Sequence, residues 1–211
     1  MLFAKEMKIR LTLLEELLGT ASGDPELYET YIASKAPDVE KTEEEVEAFD
    51  ADEMLDKAMT GFPRTENGVP FLYDYQIRGF FKEAAGFCRK IPDSKSSKLK
   101  AYKKQIDGLI FVEPRQIPLT FKGFMGKCQR PLRAQTAQGE RVALAISETV
   151  PAGTQLEFTV LLCDGADEAR VREWLDYGEY HGLGQWRNAG KGKFLWEELD
   201  GEGNVIGGNK K

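Results

Sequence analysis

The stretch Lys8-Ile-Arg-Leu-Thr-Leu-Leu14, near the start of this 211-residue chain, sets the predicted fold. Ile9, Leu11 and Leu13 are apolar, and the residues between them are basic or carry a hydroxyl. Alternation with a period of two is typical of a strand that buries one face. The sequence therefore predicts a half-buried strand here, with a basic outer face.

The elements predicted after this strand determine the fold class. In chain order they are a helix over Tyr75–Arg89, strands over Leu109–Val112, Gln116–Phe121, Val142–Val150 and Thr154–Cys163, a helix over Asp167–Tyr177 and a last strand over Phe194–Leu199. With insertions set aside, this order is β-α-β-β-α-β. We therefore predict an α+β fold with a ferredoxin-like or RRM-like core.

Charge is unevenly distributed along the chain, whose formal net charge is −6. Residues 24–60 hold 13 acidic and 3 basic residues, a net of −10, whereas residues 75–133 hold 14 basic and 4 acidic residues, a net of +10. We interpret 24–62 as an acidic helical insertion and 122–150 as a basic, protruding hairpin or loop insertion, within one domain over 1–211. A basic body of this kind can bind a polyanion locally, although a solvated charged surface also explains it.

Composition excludes several classes of site. Cys88, Cys128 and Cys163 are odd in number and lack a CxxC spacing, and His181 is the only histidine. A disulfide framework and a zinc site are therefore not expected, and no metal or other cofactor is predicted. The sequence also lacks a long apolar run and a signal-peptide pattern, so we expect no contact with a membrane and a cytoplasmic location.

The sharpest local feature is a glycine-rich loop that runs from His181 to Phe194 and reads HGLGQWRNAGKGKF. Glycines allow backbone N–H groups to approach a ligand, and interleaved cations suit phosphates. The loop precedes a strand and lacks Gly-Lys-Ser/Thr, so it is neither a Rossmann fingerprint nor a Walker A loop. A surface turn is the alternative. The predicted phosphate contacts are Gly182, Gly184, Arg187, Gly190, Lys191, Gly192 and Lys193.

His181 lies at the start of this loop and is the only candidate for a catalytic residue. With Tyr180 or Lys191 assisting, it could act as the general base of a metal-independent endoribonuclease. A histidine that simply packs against its neighbours is the alternative, and no partner for it can be identified from the sequence. The sequence favours a protein that is not an enzyme and leaves the endoribonuclease open as an alternative.

Four segments, in the same order, resemble the RAMP superfamily (repeat-associated mysterious proteins), and within it the guide-RNA-binding backbone subunits of CRISPR effector complexes. The first is Lys8–Leu14 followed by GTASG at 19–23. The second, GVPFLYDYQIRGFFKEA at 68–84, is similar to the family's P-x-S-S-hydrophobic-K-G-x-x-R entry into its first helix. The third, SETVPAGTQLEF at 147–158, is similar to V-P-x-G-T-x-F-x-F. The fourth is the glycine-rich loop.

The resemblance implies binding to the RNA sugar-phosphate backbone, with effector-type subunits or further copies of the chain as partners. By position, Arg78 and Lys82 join Arg187, Lys191 and Lys193 as RNA contacts. Tyr75-Gln76 departs from the two small hydroxyl residues of the family motif, and the acidic insertion follows the first strand, where some members place a catalytic Asp. No matching Asp is assigned here.

The acidic insertion leaves a second class of function open. A compact acidic relative, of phage or mobile-element origin, could stand alone and place its acidic segment in a partner's nucleic-acid site, which would block that site. The sequence does not identify the RNA or the partner.

Overall fold

The computed structural model describes residues 3–22, 59–136 and 139–209. The helical segment predicted within 24–62 falls outside them as far as residue 58, so its structure stays a prediction.

The described part of the chain contains twelve strands, three α-helices and one 3-10 turn. The strands are β1 (Phe3–Leu13), β2 (Leu17–Leu18), β3 (Ala21–Ser22), β4 (Thr60–Gly61), β5 (Phe71–Tyr73), β6 (Ile110–Glu113), β7 (Gln116–Pro118), β8 (Gly126–Thr136), β9 (Gly139–Val150), β10 (Gln155–Cys163), β11 (Phe194–Leu199) and β12 (Val205–Gly208). The helices are α1 (Asp74–Cys88), α2 (Tyr102–Leu109) and α3 (Glu168–His181), with a 3-10 turn over Arg187–Ala189.

The chain divides into two compact units. The first comprises residues 1–17, 63–124 and 150–211, and the second comprises 18–62 and 125–149. Both units are discontinuous in sequence, because the chain leaves the first unit after β1 and again before β8.

The first unit contains a sheet with the strand order β12-β11-β1-β10-β6. Every neighbouring pair is antiparallel, and β1 lies between β10 and β11, with Leu11 opposite both Leu156 and Trp196. The helices α1 and α3 alternate with the strands β1, β6, β10 and β11 in the order β-α-β-β-α-β. The predicted α+β class is confirmed.

The core of this unit lies where α1 and α3 pack together and against the sheet. Alternate residues of β1, from Met7 to Leu13, are almost fully buried, as the period-two pattern predicts. The Phe80 and Phe194 rings are 5.2 Å apart in an edge-on arrangement, and the Phe81 and Trp174 rings are 5.8 Å apart. The first contact joins α1 to β11 and the second joins α1 to α3, and each ring buries a large apolar area.

Several boundaries differ from the sequence-based prediction. The strand predicted over Gln116–Phe121 ends at Pro118 and pairs with β5 in a separate two-stranded sheet. The helix predicted to end at Tyr177 continues to His181, so His181 belongs to the last turn of α3. A further strand, β12, extends the sheet beyond β11, whereas Phe194–Leu199 was expected to be the last strand.

The second unit contains the antiparallel pair β8–β9 and the short strands β2, β3 and β4. Thr60 and Ser147 share a hydrogen bond of 2.7 Å between their hydroxyl oxygens, and the Phe62 amide donates to Glu148. The predicted insertion over 122–150 thus contains two long paired strands. Among all described residues, no helix has the length and hydropathy needed to cross a membrane.

One packing contact yields a test of this core. A Cβ added at Gly178 of α3 would lie 2.0 Å from the Cζ of the fully buried Phe194 ring. Overpacking of this kind costs about 1–3 kcal/mol, so we expect Gly178→Ala to lower the free energy of unfolding by about 2 kcal/mol in urea denaturation.

The matched control is Gly79→Ala in α1, where an added Cβ meets no atom within 4 Å. Alanine stabilises an open helical position by about 0.5–1 kcal/mol relative to glycine, so this variant should be at least as stable as the parent. Equal stability of the two variants would contradict the described packing.

Candidate nucleic-acid interface

Two glycines of the glycine-rich loop bring its two ends into backbone contact. Gly182 and Gly192 have positive φ values of +78° and +70°. A Cβ on Gly192 would lie 2.1 Å from the carbonyl oxygen of Leu183, and the Leu183 amide donates to the Gly192 carbonyl at 2.9 Å. The loop is therefore a closed turn between α3 and β11, and these glycines are needed for its own backbone packing.

A carboxylate of α1 holds one side of this loop. Glu83 accepts a hydrogen bond from His181 Nε2 at 2.9 Å and another from the Arg187 guanidinium. Burial disfavours the charged carboxylate, but the hydrogen bonds and charges of His181 and Arg187 prevail and hold the pKa of Glu83 below its ordinary value of 4.5. Arg187 is thus neutralised within the protein.

A second carboxylate holds the other side of the loop. Glu16, just after β1, accepts from Lys191 Nζ at 2.5 Å, and its backbone carbonyl accepts from the Gly192 amide at 2.9 Å. Lys193 differs from Arg187 and Lys191, since its side chain forms no ion pair within the described structure. It is the loop cation that a phosphate reaches without displacing a carboxylate.

The two candidates on α1 are also paired. Arg78 donates to Asp74 at 3.4 Å, while Asp74 also accepts from Arg115 at 3.2 Å. Lys82 Nζ lies 2.5 Å from Asp107 of α2. The Arg78 Nε is buried without a hydrogen-bond partner in the described part of the chain. Contact between RNA and either candidate would compete with a carboxylate already in place.

A different group of cations follows α1 directly. We call residues 89–104 the basic segment. Its exposed cations are Arg89, Lys90, Lys95, Lys98, Lys100, Lys103 and Lys104. The described structure gives none of these side chains an ion pair, and Asp93 is the only acidic residue in the segment. A local charge of about +6 that is not neutralised internally is the arrangement expected for a polyanion site.

Buried contacts fix the position of the basic segment. Ser96 is fully buried, donates to Glu173 of α3 and accepts from Trp174 Nε1 at 2.9 Å. The Lys95 amide also donates to Glu173, at 2.6 Å, and Leu99 is buried. The lysines therefore project from a backbone that is anchored to the fold.

His181 has a structural partner that the sequence did not reveal. It bonds to Glu83, stacks on Tyr177 with ring centroids 5.1 Å apart, and is mostly buried. Lys191, proposed as its assistant, bonds instead to Glu16, and the Tyr180 side chain is 71% exposed. The described contacts thus assign His181 a packing role, and its role as a general base stays a prediction.

Glu83 and Glu16 were not singled out from the sequence as parts of the loop. Glu83 is 98 residues from His181, and Glu16 is 175 residues from Lys191. No local spacing could signal such pairs, because they form only when α1 and the end of β1 are packed beside the loop. The basic segment, by contrast, is visible as a run of lysines.

The sequence matches no family model and no curated protein. The structure is similar to a chain of the type III-B Cmr-beta complex bound to cognate target RNA, solved by cryo-electron microscopy, with a TM-score of 0.51 and 11% identity over 93% of this chain. The chain spans 60% of the length of that relative. A chain of the type IV-B CRISPR complex has a TM-score of 0.49 at 10% identity, over 98% of this chain and 96% of that one. The first likeness shows that this chain shares the fold of a chain from a CRISPR effector complex, the class of complex to which the sequence resemblance points.

The Glu83 contacts predict a pH dependence of stability. A carboxyl whose pKa is lower when folded than when unfolded stabilises the fold fully above its ordinary value of 4.5, and this contribution is lost as pH falls through the folded pKa. We expect Glu83→Gln to lower the free energy of unfolding by about 1 kcal/mol at pH 7, the range of partly exposed ion pairs.

This difference between parent and variant should shrink as the pH is lowered below 4.5. Chemical denaturation over a pH series measures it. A difference that stays constant across the series would mean that Glu83 ionisation does not hold the loop.

Proposed function

We propose that this chain binds RNA through the sugar-phosphate backbone, with the basic segment as its principal contact and Lys193 of the glycine-rich loop as a second. Backbone contacts position an RNA without reading its sequence. The proposal rests on one observation above the others: the basic segment presents seven exposed cations that have no ion pair within the described residues.

The cations of the basic segment differ from the other candidates because no carboxylate of the described residues competes with RNA phosphate for them. A phosphate that approaches Arg78, Lys82, Arg187 or Lys191 must displace Asp74, Asp107, Glu83 or Glu16, respectively. At the basic segment it displaces only counterions, and the release of counterions is the main source of affinity for nucleic-acid backbones. The four cations that already form ion pairs remain predicted RNA contacts, and so do the loop glycines Gly182, Gly184, Gly190 and Gly192. We expect them to contribute less to the affinity for RNA than the basic segment does.

The anchoring of the segment supports the same assignment. Because Ser96 and Leu99 are buried, the backbone that carries the lysines is already ordered before any ligand arrives. Binding to an ordered segment loses less conformational entropy than binding to a loop that must fold on contact.

The fold supports a proposal for the kind of complex in which the chain binds RNA. That fold is shared with a chain of an RNA-bound type III-B complex. We therefore propose that the chain works in the cytoplasm as a CRISPR-associated subunit beside other effector-type subunits or further copies of itself, or as a stand-alone relative encoded by a phage or mobile element. No observation on the described residues favours the alternative of an acidic blocking protein, which depends on residues 24–60.

The salt dependence of RNA affinity tests the proposal. For single strands, the logarithm of the binding constant falls with the logarithm of salt concentration with a slope of about 0.7 per neutralised phosphate. We expect the triple variant Lys98→Gln, Lys100→Gln, Lys103→Gln to reduce that slope by about 2, measured by fluorescence anisotropy with a labelled RNA.

Single substitutions provide a matched comparison. Lys100→Gln should lower the slope by about 0.7, whereas Lys8→Gln, at an exposed lysine of β1 outside the segment, should leave it unchanged. An unchanged slope in the triple variant, or an equal effect of Lys8→Gln and Lys100→Gln, would rule out the basic segment as the RNA contact.

A further inference from the structure

At the ends of α1 and α3, ring and cation–π contacts link Phe87, Lys90, Tyr177 and His181, and the exposed Tyr180 lies on the same turn of α3 as Tyr177 and His181. We call these five side chains the aromatic–lysine surface. Phe87 and Tyr177 are stacked with centroids 5.9 Å apart, and Tyr177 stacks in turn on His181 at 5.1 Å. Phe87 is nevertheless 43% exposed, and Tyr180 is 71% exposed.

The exposure of Phe87 and Tyr180 contrasts with the burial of the core rings of the two helices. Phe80, Phe81 and Trp174 are almost fully buried between the helices and the sheet. Phe87 and Tyr180 contribute little to that core, and leaving large rings in water forfeits the stabilisation that their burial would give. Partly exposed rings on a supported stack are therefore candidates for contact with a ligand.

A positively charged side chain lies beside the rings. Lys90 Nζ lies 5.4 Å from the centroid of Phe87, within the range of a cation–π contact. Arg89 and Lys90 begin the basic segment, so the aromatic–lysine surface continues directly into the proposed RNA contact. An aromatic face with an ammonium group beside it suits a nucleotide, whose flat base and charged phosphate are close together.

The carboxylates of the neighbouring elements are engaged elsewhere. Glu83 of α1 accepts from His181 and Arg187, and Glu173 of α3 accepts from the backbone of the basic segment. Asp176 of α3 accepts from the indole N–H of Trp196 at 2.8 Å. These interactions fix the positions of the carboxylates. Within the described structure, Arg89 lies over the Tyr102 ring and Lys90 over the Phe87 ring, and neither cation has a carboxylate partner.

We propose that the aromatic–lysine surface is a base-stacking subsite, in which Phe87 and Tyr180 stack on unpaired nucleobases of the RNA whose phosphates lie along the basic segment. The proposal rests on the proposed RNA binding and adds the chemical form of the ligand. Only an RNA with unstacked bases can use these rings, so the subsite favours single-stranded over double-helical RNA.

The test compares two RNAs and two pairs of substitutions in the full chain. The RNAs are a uridine-rich single strand and a blunt-ended duplex of two annealed strands with the same total number of phosphates. The double variant Phe87→Leu, Tyr180→Leu removes the rings while keeping apolar side chains. The matched control, Phe87→Tyr, Tyr180→Phe, keeps both rings. Thermal unfolding confirms that each variant is folded.

We expect the leucine variant to bind the single strand at least about fivefold more weakly than the parent, since each base stacked on an aromatic side chain contributes that much or more. The same variant should bind the duplex as the parent does, and the control should retain both affinities. Single strands carrying 5-iodouridine should crosslink to the peptides that contain Phe87 or Tyr180.

The outcomes separate this inference from the function on which it rests. If the lysine substitutions in the basic segment weaken binding of both RNAs but the leucine variant binds the single strand like the parent, the stacking subsite is refuted and RNA binding stands. If neither set of substitutions weakens binding, the proposed function fails first. Equal losses on single strand and duplex would also refute stacking, because a duplex offers no unstacked base.

Discussion

The packing of Phe194 against Gly178 is the contact on which the rest of the first unit depends. Phe194 begins β11, Gly178 lies in the last turns of α3, and the glycine-rich loop connects them. The ring is fully buried and also meets Phe80 of α1, 5.2 Å away. Because no side chain fits at Gly178, this single contact sets how closely α3 approaches the sheet and where both ends of the loop lie.

This packing determines which side chains contact the glycine-rich loop. Once α1, α3 and β11 are packed, Glu83 and Glu16 face the loop from two sides and neutralise Arg187 and Lys191. The described contacts therefore make the glycine-rich loop a turn held by internal ion pairs, and the phosphate contacts expected of it stay a prediction. The surplus positive charge of the unit lies instead in the basic segment, which is anchored through Ser96 to Glu173 and Trp174.

The sequence correctly predicted those strands and helices whose apolar residues recur with a regular local period. Alternation in Lys8–Leu14 and Thr154–Cys163 located β1 and β10, and the apolar stripe of Tyr75–Arg89 located α1 to within one residue at each end. It could not predict which cations are neutralised, because partners such as Glu83 and Arg187 are 104 residues apart in the chain. It also missed β12, whose Val205-Ile206-Gly-Gly stretch is too short and too glycine-rich for a periodic signal.

The nucleic-acid content of the purified protein tests most directly whether the chain binds RNA through the sugar-phosphate backbone, as we propose. The absorbance ratio, extraction and sizing of bound nucleic acid, and the mass from light scattering are measured on one preparation. We predict co-purifying RNA of discrete length on a large particle. An RNA-free monomer or dimer would contradict this proposal.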